Sequence, residues 1–377
     1  MEWVRLGDIT EILDNRRVPL NNEERSKISN LKLYPYCGAN GIIDYIDEFI
    51  FDEDEEIICV AEDGGAWGYL QKCSYIMKEK CWVNNHAHVL KAKSNFNSKF
   101  LNYYLNYKDL SNHITGTTRG KLTQKEVKNI LIPNFKLEKQ NIIVNFLSRI
   151  ETLIRNRKEQ ILSYDDLIES LLKNILNNPN NNKVDLEKFL EDITAGKSLA
   201  GKEKSNFKVL KTSCVFTGHF DENEWKYLPK DYIPQEKHII KEGDILVSRM
   251  NTSELVGASV YVYKDYEDLT VPDRLWILKL KNNISRIYLW KFFQTNFYRN
   301  QIQNISTGTS GSMKNISQKN FRKLEIIYPP IELQNKFAEY VIKIEEEKKK
   351  LNSSLKELED LFDALMQDAF SGNLFKD

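Results

Sequence analysis

Apolar residues recur at alternating steps of four and three positions in two separate stretches of the chain. This spacing lines the side chains along one side of a helix and is typical of a coiled-coil seam. The first seam comprises Ile143, Leu147, Ile150, Ile154, Arg157, Ile161, Tyr164, Ile168, Leu171 and Ile175. The second, 194 residues later, comprises Phe337, Val341, Ile344, Lys348, Leu351, Leu355, Leu358, Phe362, Leu365 and Ala369. The pattern predicts two long spacer helices.

The two seams have the same length, which favours pairing of the helices within one chain. A parallel pair in register would bring Arg157 and Lys348 into adjacent layers, where like charges repel. An antiparallel pair separates these two residues, and we therefore expect antiparallel helices. Pairing between chains along a dimerisation stripe is the alternative that this pattern leaves open.

The segments outside the helices have mixed character. The apolar run 57–60 predicts a buried strand before a glycine turn, and the β-branched and aromatic content of 81–90 predicts another. Later, 244–247 predicts a strand and 287–297 a helix. We therefore expect an α+β fold with two mixed α/β domains and a pair of long antiparallel coiled-coil helices. The predicted boundaries are 1–135 and 184–329 for the domains, 136–178 and 330–371 for the spacer helices, 179–183 for a linker and 372–377 for a tail.

Short matching motifs indicate that the chain repeats itself after about half its length. Residues 6–10 read LGDIT and residues 190–194 read LEDIT, an offset of 184. Residues 138–141 read EKQN and residues 332–335 read ELQN, an offset of 194. The intervening segments differ in length and share little sequence. A repeat of this size indicates a duplicated domain with pseudo-twofold character, because solenoid units have only 20–50 residues.

Composition narrows the possible classes of protein. The 377 residues carry 54 lysines and arginines against 54 aspartates and glutamates, a formal charge of zero. That balance argues against a free-standing nucleic-acid coat but is compatible with local basic patches. Five cysteines without a CxxC pair indicate reduced thiols. The first residues lack an apolar signal region, and no apolar run approaches the roughly 20 residues that span a bilayer, so we expect a cytoplasmic protein with no membrane partner.

Catalytic and metal-binding motifs are not recognisable. The segment 195–198 resembles the end of a P-loop, but Glu191 stands where the first glycine is required. His86 and His88 lie two apart on one predicted strand and could bind a metal ion. Their spacing matches no standard zinc finger, so a pair of hydrogen-bonded strand histidines explains them better. We therefore expect no catalytic residue, no metal site and no cofactor bound by this chain.

Two loops combine hydroxyls, glycines and basic side chains, which are the usual protein ligands of phosphate groups. They span 115–121 and 307–314. Other arginines and an asparagine in loop-like contexts could read base edges, because arginine complements guanine and asparagine complements adenine. These base-reading candidates are Arg16, Arg17, Arg249 and Asn251. The full set of candidate DNA-binding residues is Arg16, Arg17, Asn40, Thr115, Thr117, Arg119, Lys121, Lys197, Arg249, Asn251, Thr307, Thr309 and Lys314. For each of them, a solvated surface side chain is the alternative interpretation.

Several stretches, together with the half-chain repeat, carry a family resemblance that spans essentially the full chain. They are Tyr34–Ile43, Val60–Gly64, Val83–His88 and Tyr328–Gln334. The plan resembles the DNA-specificity subunit of type I restriction-modification systems. In the first half, Asn134-Phe135 stands where the second half has a second proline. That departure affects the helix start rather than the reading of DNA.

The resemblance implies two target-recognition domains, each of which reads one half of a split, asymmetric double-stranded DNA site. It implies that the helix pair sets the spacing between the half-sites. It also implies that two methyltransferase subunits and two restriction-translocase subunits join the chain in defence against foreign DNA. S-adenosylmethionine would bind to the methyltransferase subunits. Two alternatives are a coiled-coil scaffold that joins two protein-binding domains, and an enzyme that acts on nucleic acid by itself.

Overall fold

The computed structural model describes residues 2–116, 118–308 and 313–374. They form two units, one of residues 1–159 with 351–377 and the other of residues 160–350. The division falls inside both long helices, so each unit contains one globular segment and part of each helix. Within the described ranges, no helix combines the length and the apolar character needed to cross a membrane.

The first unit is built around a four-stranded antiparallel sheet. The strands of the whole unit are β1 (Trp3–Arg5), β2 (Thr10–Ile12), β3 (Tyr34–Gly38), β4 (Gly41–Ile46), β5 (Ile57–Ala61), β6 (Ser74–Met77), β7 (Trp82–Val83), β8 (Ala87–Ala92), β9 (Ile114–Thr115), β10 (Lys121–Leu122) and β11 (Leu131–Pro133). Its helices are α1 (Leu6–Ile9), α2 (Asn22–Lys27), α3 (Ser98–Tyr107), α4 (Gln124–Asn129) and the first part of α5 (Leu137–Leu176). The sheet order is β2-β8-β5-β6, and the apolar strand β5 is buried along its whole length. A second sheet has the order β4-β3-β7, in which β3 and β7 are parallel.

The second unit repeats this topology. Its strands are β12 (Asn182–Asp185), β13 (Leu190–Thr194), β14 (Lys208–Leu210), β15 (Trp225–Tyr227), β16 (Ile245–Ser248), β17 (Met250–Asn251), β18 (Ser259–Tyr261), β19 (Leu269–Thr270), β20 (Leu275–Leu280), β21 (Lys314–Asn315) and β22 (Glu325–Tyr328). Its helices are α6 (Arg286–Phe292), α7 (Asn296–Ile305), α8 (Gln318–Arg322) and the first part of α9 (Ile331–Ser371). The sheet orders β13-β20-β16-β18 and β15-β14-β19 correspond strand by strand to those of the first unit. The prediction of two mixed α/β domains in an α+β fold is thereby confirmed.

In the first unit the two long helices run antiparallel. Ile143, early in α5, shares a buried apolar cluster with Met366 and Phe370 near the end of α9. Further along α5, Lys158 forms an ion pair of 2.7 Å with Glu359, which precedes Met366 in α9. Residues further along α5 therefore contact residues closer to the N-terminus of α9.

The helices of the second unit have the same relative direction. Asp165 of α5 forms an ion pair with Lys348 of α9. Ten residues later in α5, Ile175 lines a small cleft with Leu333 and Phe337, near the start of α9. The prediction of antiparallel pairing within the chain is thereby confirmed. All the predicted seam positions are buried or half-buried in this arrangement.

Two predicted elements were wrong. The predicted strand 81–90 is divided into β7 and β8, which belong to different sheets, because the side chain of Asn84 accepts a hydrogen bond of 2.8 Å from the backbone N–H of His86 and turns the chain. The predicted helix 287–297 is divided into α6 and α7. Here the hydroxyl of Thr295 accepts from the backbone N–H of Tyr298 and starts a new helix.

Strand β12 begins inside the predicted linker 179–183. It pairs antiparallel with β22, and Asn182 stands opposite Tyr328 in that pair. The equivalent pair in the first unit joins β1 to β11. In both units, therefore, the strand that enters the globular segment pairs with the strand that leaves it for the long helix.

Candidate nucleic-acid interface

In the first unit, the loop 115–121 lies against the turn that follows strand β5. The backbone N–H of Leu122 donates to the carbonyl of Glu62 over 2.8 Å, and Asp63 bridges to Lys121. Strand β5 is buried along its whole length and lies between two neighbours in the sheet. Backbone contacts therefore join the end of the loop to the end of a central strand.

The basic side chains of this region are paired with the acidic residues of the turn. Glu62 forms ion pairs of 2.6 Å with Arg17 and 2.8 Å with Lys121, and Asp63 forms one of 2.8 Å with Arg119. Burial opposes ionisation of Glu62, but the hydrogen bonds from Lys121 and Arg17 outweigh burial and hold the pKa of this carboxyl below its usual value. The structure thus brings three of the predicted DNA-binding residues together around two carboxylates.

Other predicted residues adjoin the same turn. The amide of Asn40 donates to the carbonyl of Gly64 over 3.1 Å. The hydroxyl of Thr115 donates to the carbonyl of Lys121 over 3.1 Å, which closes the base of the loop. Thr117 lies outside the described residues. Asn40 and Thr115 are both exposed, so a ligand can reach them.

Arg16 lies apart from this group. Its guanidinium donates to both carboxylate oxygens of Glu55, at 2.8 and 2.9 Å, and to the carbonyl of Ile50. It also stacks over the ring of Phe51 at 4.6 Å. The hydrogen bonds to Glu55 raise the pKa of Arg16. The structure therefore separates Arg16 from Arg17, its neighbour in sequence.

The two histidines have carboxylate partners. His88 is buried, with Nδ1 2.6 Å from Asp14 and Nε2 2.7 Å from the carbonyl of Leu122. His86 is half-buried, and its Nδ1 lies 3.0 Å from both carboxylate oxygens of Asp63. Hydrogen bonding thus accounts for both rings.

The second unit brings its own candidates together at the equivalent place. Strand β16 is followed by Arg249 and then by β17, which pairs with β21 so that Asn251 stands opposite Lys314. The backbone N–H of Ile316 donates to the carbonyl of Arg249 over 2.9 Å. The amide of Asn251 donates to the hydroxyl of Ser248, at 3.3 Å. Arg249, Asn251 and Lys314 therefore share one side of the domain.

The loop 307–314 closes on itself through its ends. Thr307 and Asn315 exchange two backbone hydrogen bonds of 2.9 Å. The ammonium of Lys314 donates to the carbonyl of Gly308 over 2.8 Å. Thr309 lies outside the described residues. Thr115 and Thr307 thus occupy equivalent positions at the start of their loops, where Thr115 stands opposite Lys121 and Thr307 opposite Asn315.

The segment around Lys197 has a structural explanation. The backbone N–H of Gly196 donates to the carbonyl of Pro272 over 3.2 Å. A Cβ atom at Gly196 would lie only 1.9 Å from the carbonyl oxygen of Val271, so glycine is required by this close approach. Lys197 itself lies over the ring of Tyr232 at 5.7 Å. The glycine serves the packing of two backbones, and the resemblance to a P-loop is superficial.

The sequence pattern missed the acidic half of the first site and one arginine of the second. The sequence pattern does not indicate that Glu62 and Asp63 pair with the predicted cations. It does not indicate Arg274 either, whose carbonyl accepts from the backbone N–H of Arg249 at 3.0 Å. One feature of the sequence could have predicted the role of Glu62, namely that this charged residue directly follows a buried strand.

Comparison with known families agrees with this architecture. Residues 1–163 and 186–360 match the family described as "Type I restriction modification DNA specificity domain". These two matches cover most of the chain, one in each half. The chain therefore belongs to the type I restriction-modification DNA-specificity family.

One relative is the type I restriction enzyme specificity subunit S.HindORF215P of Haemophilus influenzae. It is 25% identical to this chain over 364 residues, and the alignment covers 92% of this chain and 88% of the relative. The EcoKI specificity subunit of Escherichia coli is 29% identical over 202 residues, or 51% of this chain and 43% of its own length. Among solved structures, the type I restriction-modification S subunit from M. genitalium has a TM-score of 0.62 at 14% identity, over 98% of this chain and 96% of its own. A chain from a study of complex assembly of the type I R-M system has a TM-score of 0.54 at 16% identity, and the match covers 99% of this chain and 98% of that chain. These two structures support the fold.

Proposed function

We propose that this chain is the sequence-specific DNA-recognition subunit of a type I restriction-modification complex. Each globular segment reads one half of a bipartite, asymmetric site, and the long helices set the distance between the halves. The observation that carries the proposal is the pair of equivalent sites. Arg249 and Glu62 follow corresponding strands in corresponding sheets, yet their side chains have opposite charge. Two domains of one fold with different chemistry at one position suit the reading of two different half-sites.

The chain acts without catalysing a reaction itself. It directs methylation and restriction by two methyltransferase subunits and two restriction-translocase subunits, and the methyltransferases bind S-adenosylmethionine. Support for docked partners comes from the long helices, which keep large apolar side chains in contact with solvent. Leu153 and Leu361 are exposed in the first unit, and Leu162 and Leu167 in the second. Exposed apolar side chains of this kind are typical of a surface that another protein covers.

The test uses the full chain coexpressed with its cognate methyltransferase subunit. Sequencing of DNA modified by this complex should reveal methylation at a single bipartite motif with two unlike halves. The isolated chain, given S-adenosylmethionine and the same DNA, should transfer no methyl group. Methyl transfer by the isolated chain would disprove the non-catalytic role.

The scaffold alternative predicts a different result. A scaffold would bind two proteins through its globular segments, and the assembled complex would retain no duplex in preference to another. Retention of cognate over scrambled duplex by the complex excludes the scaffold. Equal retention of both duplexes would overturn the proposed function.

A further inference from the structure

The two sites have the same backbone plan. In the first unit, Leu122 donates its N–H to the carbonyl of Glu62, and Glu62 donates its own N–H to the carbonyl of His86, both over 2.8 Å. In the second unit, Ile316 donates to Arg249 over 2.9 Å, and Arg249 donates to Arg274 over 3.0 Å. The positions of Glu62 and Arg249 are therefore equivalent, and so are those of His86 and Arg274.

The side chains at these equivalent positions differ in charge and in hydrogen-bonding capacity. Glu62 in the first unit is neutralised by Arg17 and Lys121. Arg249 and Arg274 in the second unit form no ion pair with any acidic side chain among the described residues. In addition, Nε of Arg249 is buried and has no hydrogen-bond partner. The two arginines are neighbours through their backbones, and no acidic side chain among the described residues neutralises either guanidinium group.

A cationic cleft adjoins Arg274. This arginine lines a cleft of about 400 Å³ whose other polar lining residues include Lys211, Lys226, Ser198 and Thr212. The one carboxylate in the lining, Asp273, accepts a hydrogen bond from Ser198. Cations and hydroxyls in this combination suit the phosphates of a nucleic-acid strand.

We propose that Arg249 and Arg274 are specificity-determining residues that read guanine in the second half-site. This inference rests on the proposed function and adds the base that the second domain selects. Arginine donates two hydrogen bonds to O6 and N7 of guanine in the major groove, a pattern that no other base pair offers. The adjoining cleft holds the phosphates of the same DNA, so that one face of the domain both positions the duplex and reads it. The first domain, with Glu62 and His86 at the same positions, reads a different pattern.

The test compares arginine-to-glutamine variants in the complete methyltransferase complex. Arg249→Gln and Arg274→Gln remove the charge and favour adenine over guanine. We expect each variant to lose roughly 10-fold to 100-fold in affinity for the cognate duplex and to relax or change the requirement for guanine at one position of the second half-site. The first half-site should be unchanged, which also establishes that the variant is folded and assembled.

Arg322→Gln is the matched control, because Arg322 lies in the same unit and its guanidinium is already paired with Glu187 at 3.1 Å. It should leave the methylation motif unaltered. A wild-type motif whose second half contains no G·C pair would overturn the inference while leaving the proposed function intact. The same holds if both glutamine variants keep the wild-type motif. If the wild-type complex has no sequence preference at all, the proposed function itself fails.

Discussion

Gln140 and Gln334 stand 194 positions apart and make the same contact in their respective units. The side-chain oxygen of Gln140 accepts from the backbone N–H of Asn97 over 2.8 Å, and that of Gln334 accepts from the backbone N–H of Ser285 over 3.0 Å. Asn97 and Ser285 are the residues that cap α3 and α6. Each glutamine is fully buried and ties the start of a long helix to a helix of the globular segment. This is the physical reason why the motif around these glutamines recurs.

Gln140→Leu should therefore destabilise the first unit. The side-chain amide also donates to the carbonyl of Phe135 over 2.8 Å, so leucine leaves a partly buried donor on Asn97 and a partly buried acceptor on Phe135 without these partners. We expect a loss of about 2–4 kcal/mol in the free energy of unfolding, measured by chemical denaturation. Gln160→Leu, at an exposed position of the same helix, is the control and should change stability by less than about 0.5 kcal/mol. Equal effects of the two substitutions would contradict the role of the buried amide.

The long helices were predictable because a heptad seam is local and periodic. The division of 81–90 was not, since it depends on one side-chain hydrogen bond from Asn84 rather than on composition. The candidate cations could be chosen by residue type alone. Their partners could not, because Arg17 and Glu62 are 45 residues apart and meet only in the folded sheet. The equivalence of Glu62 with Arg249 likewise depends on backbone pairing, because the two segments have little sequence in common.

Lys348→Glu should weaken the helix pair of the second unit. Lys348 is buried in the seam, where its ammonium pairs with Asp165 and lies 3.9 Å from Glu345. A glutamate there would place a third carboxylate beside Asp165 and Glu345 at a buried position, and we expect a loss of about 3 kcal/mol. Thermal denaturation of the variant measures the effect. The neighbouring residue Lys349 is exposed, so Lys349→Glu should lower the free energy of unfolding far less. Equal losses for the two variants would mean that the buried ion pair does not stabilise the seam.

The first unit should lose stability in acid. The pKa of Glu62 lies below its usual value because the bonds to Lys121 and Arg17 outweigh burial. A depressed folded-state pKa means that the ionised carboxylate stabilises the fold above pH ~4.3 and that this contribution disappears as the pH falls through the folded-state pKa. Glu62→Gln should therefore be about 2 kcal/mol less stable at pH 7 and should depend less on pH between about 5 and 3.

Unfolding free energies measured over that pH range provide the check. The exposed residue Glu53 supplies the control, since Glu53→Gln should retain the wild-type dependence. His88, whose Nδ1 lies 3.8 Å from Glu62, is present in both variants and does not distinguish them. A Glu62→Gln variant with an unchanged acid profile would show that this carboxylate is not linked to folding.

The two globular segments should be exchangeable without affecting each other's target. Replacement of residues 184–320 by the corresponding segment of a related specificity subunit leaves the first globular segment and its helix-capping contact at Gln140 in place. We expect methylation mapping of the hybrid complex to report a new second half-site and the original first half-site. Loss of both half-sites in a folded, assembled hybrid would mean that the domains do not read DNA independently.

The loops 115–121 and 307–314 should hold phosphates rather than read bases, because two domains with different targets share only what is independent of sequence. The structure also indicates which basic side chains of these loops are more readily available to a phosphate. Lys314 donates to a backbone carbonyl, whereas Arg119 and Lys121 must exchange the carboxylates of Asp63 and Glu62 for a phosphate. Lys314→Ala should therefore flatten the log-log salt dependence of DNA binding by roughly 0.9, and the double substitution of Arg119 and Lys121 should flatten it by less than twice that amount. Titration of the complex with cognate and scrambled duplexes over a salt series measures both slopes. Unaltered slopes would mean that the loops only turn the chain before the helices and do not contact phosphates. An altered methylation motif would mean that the loops read bases.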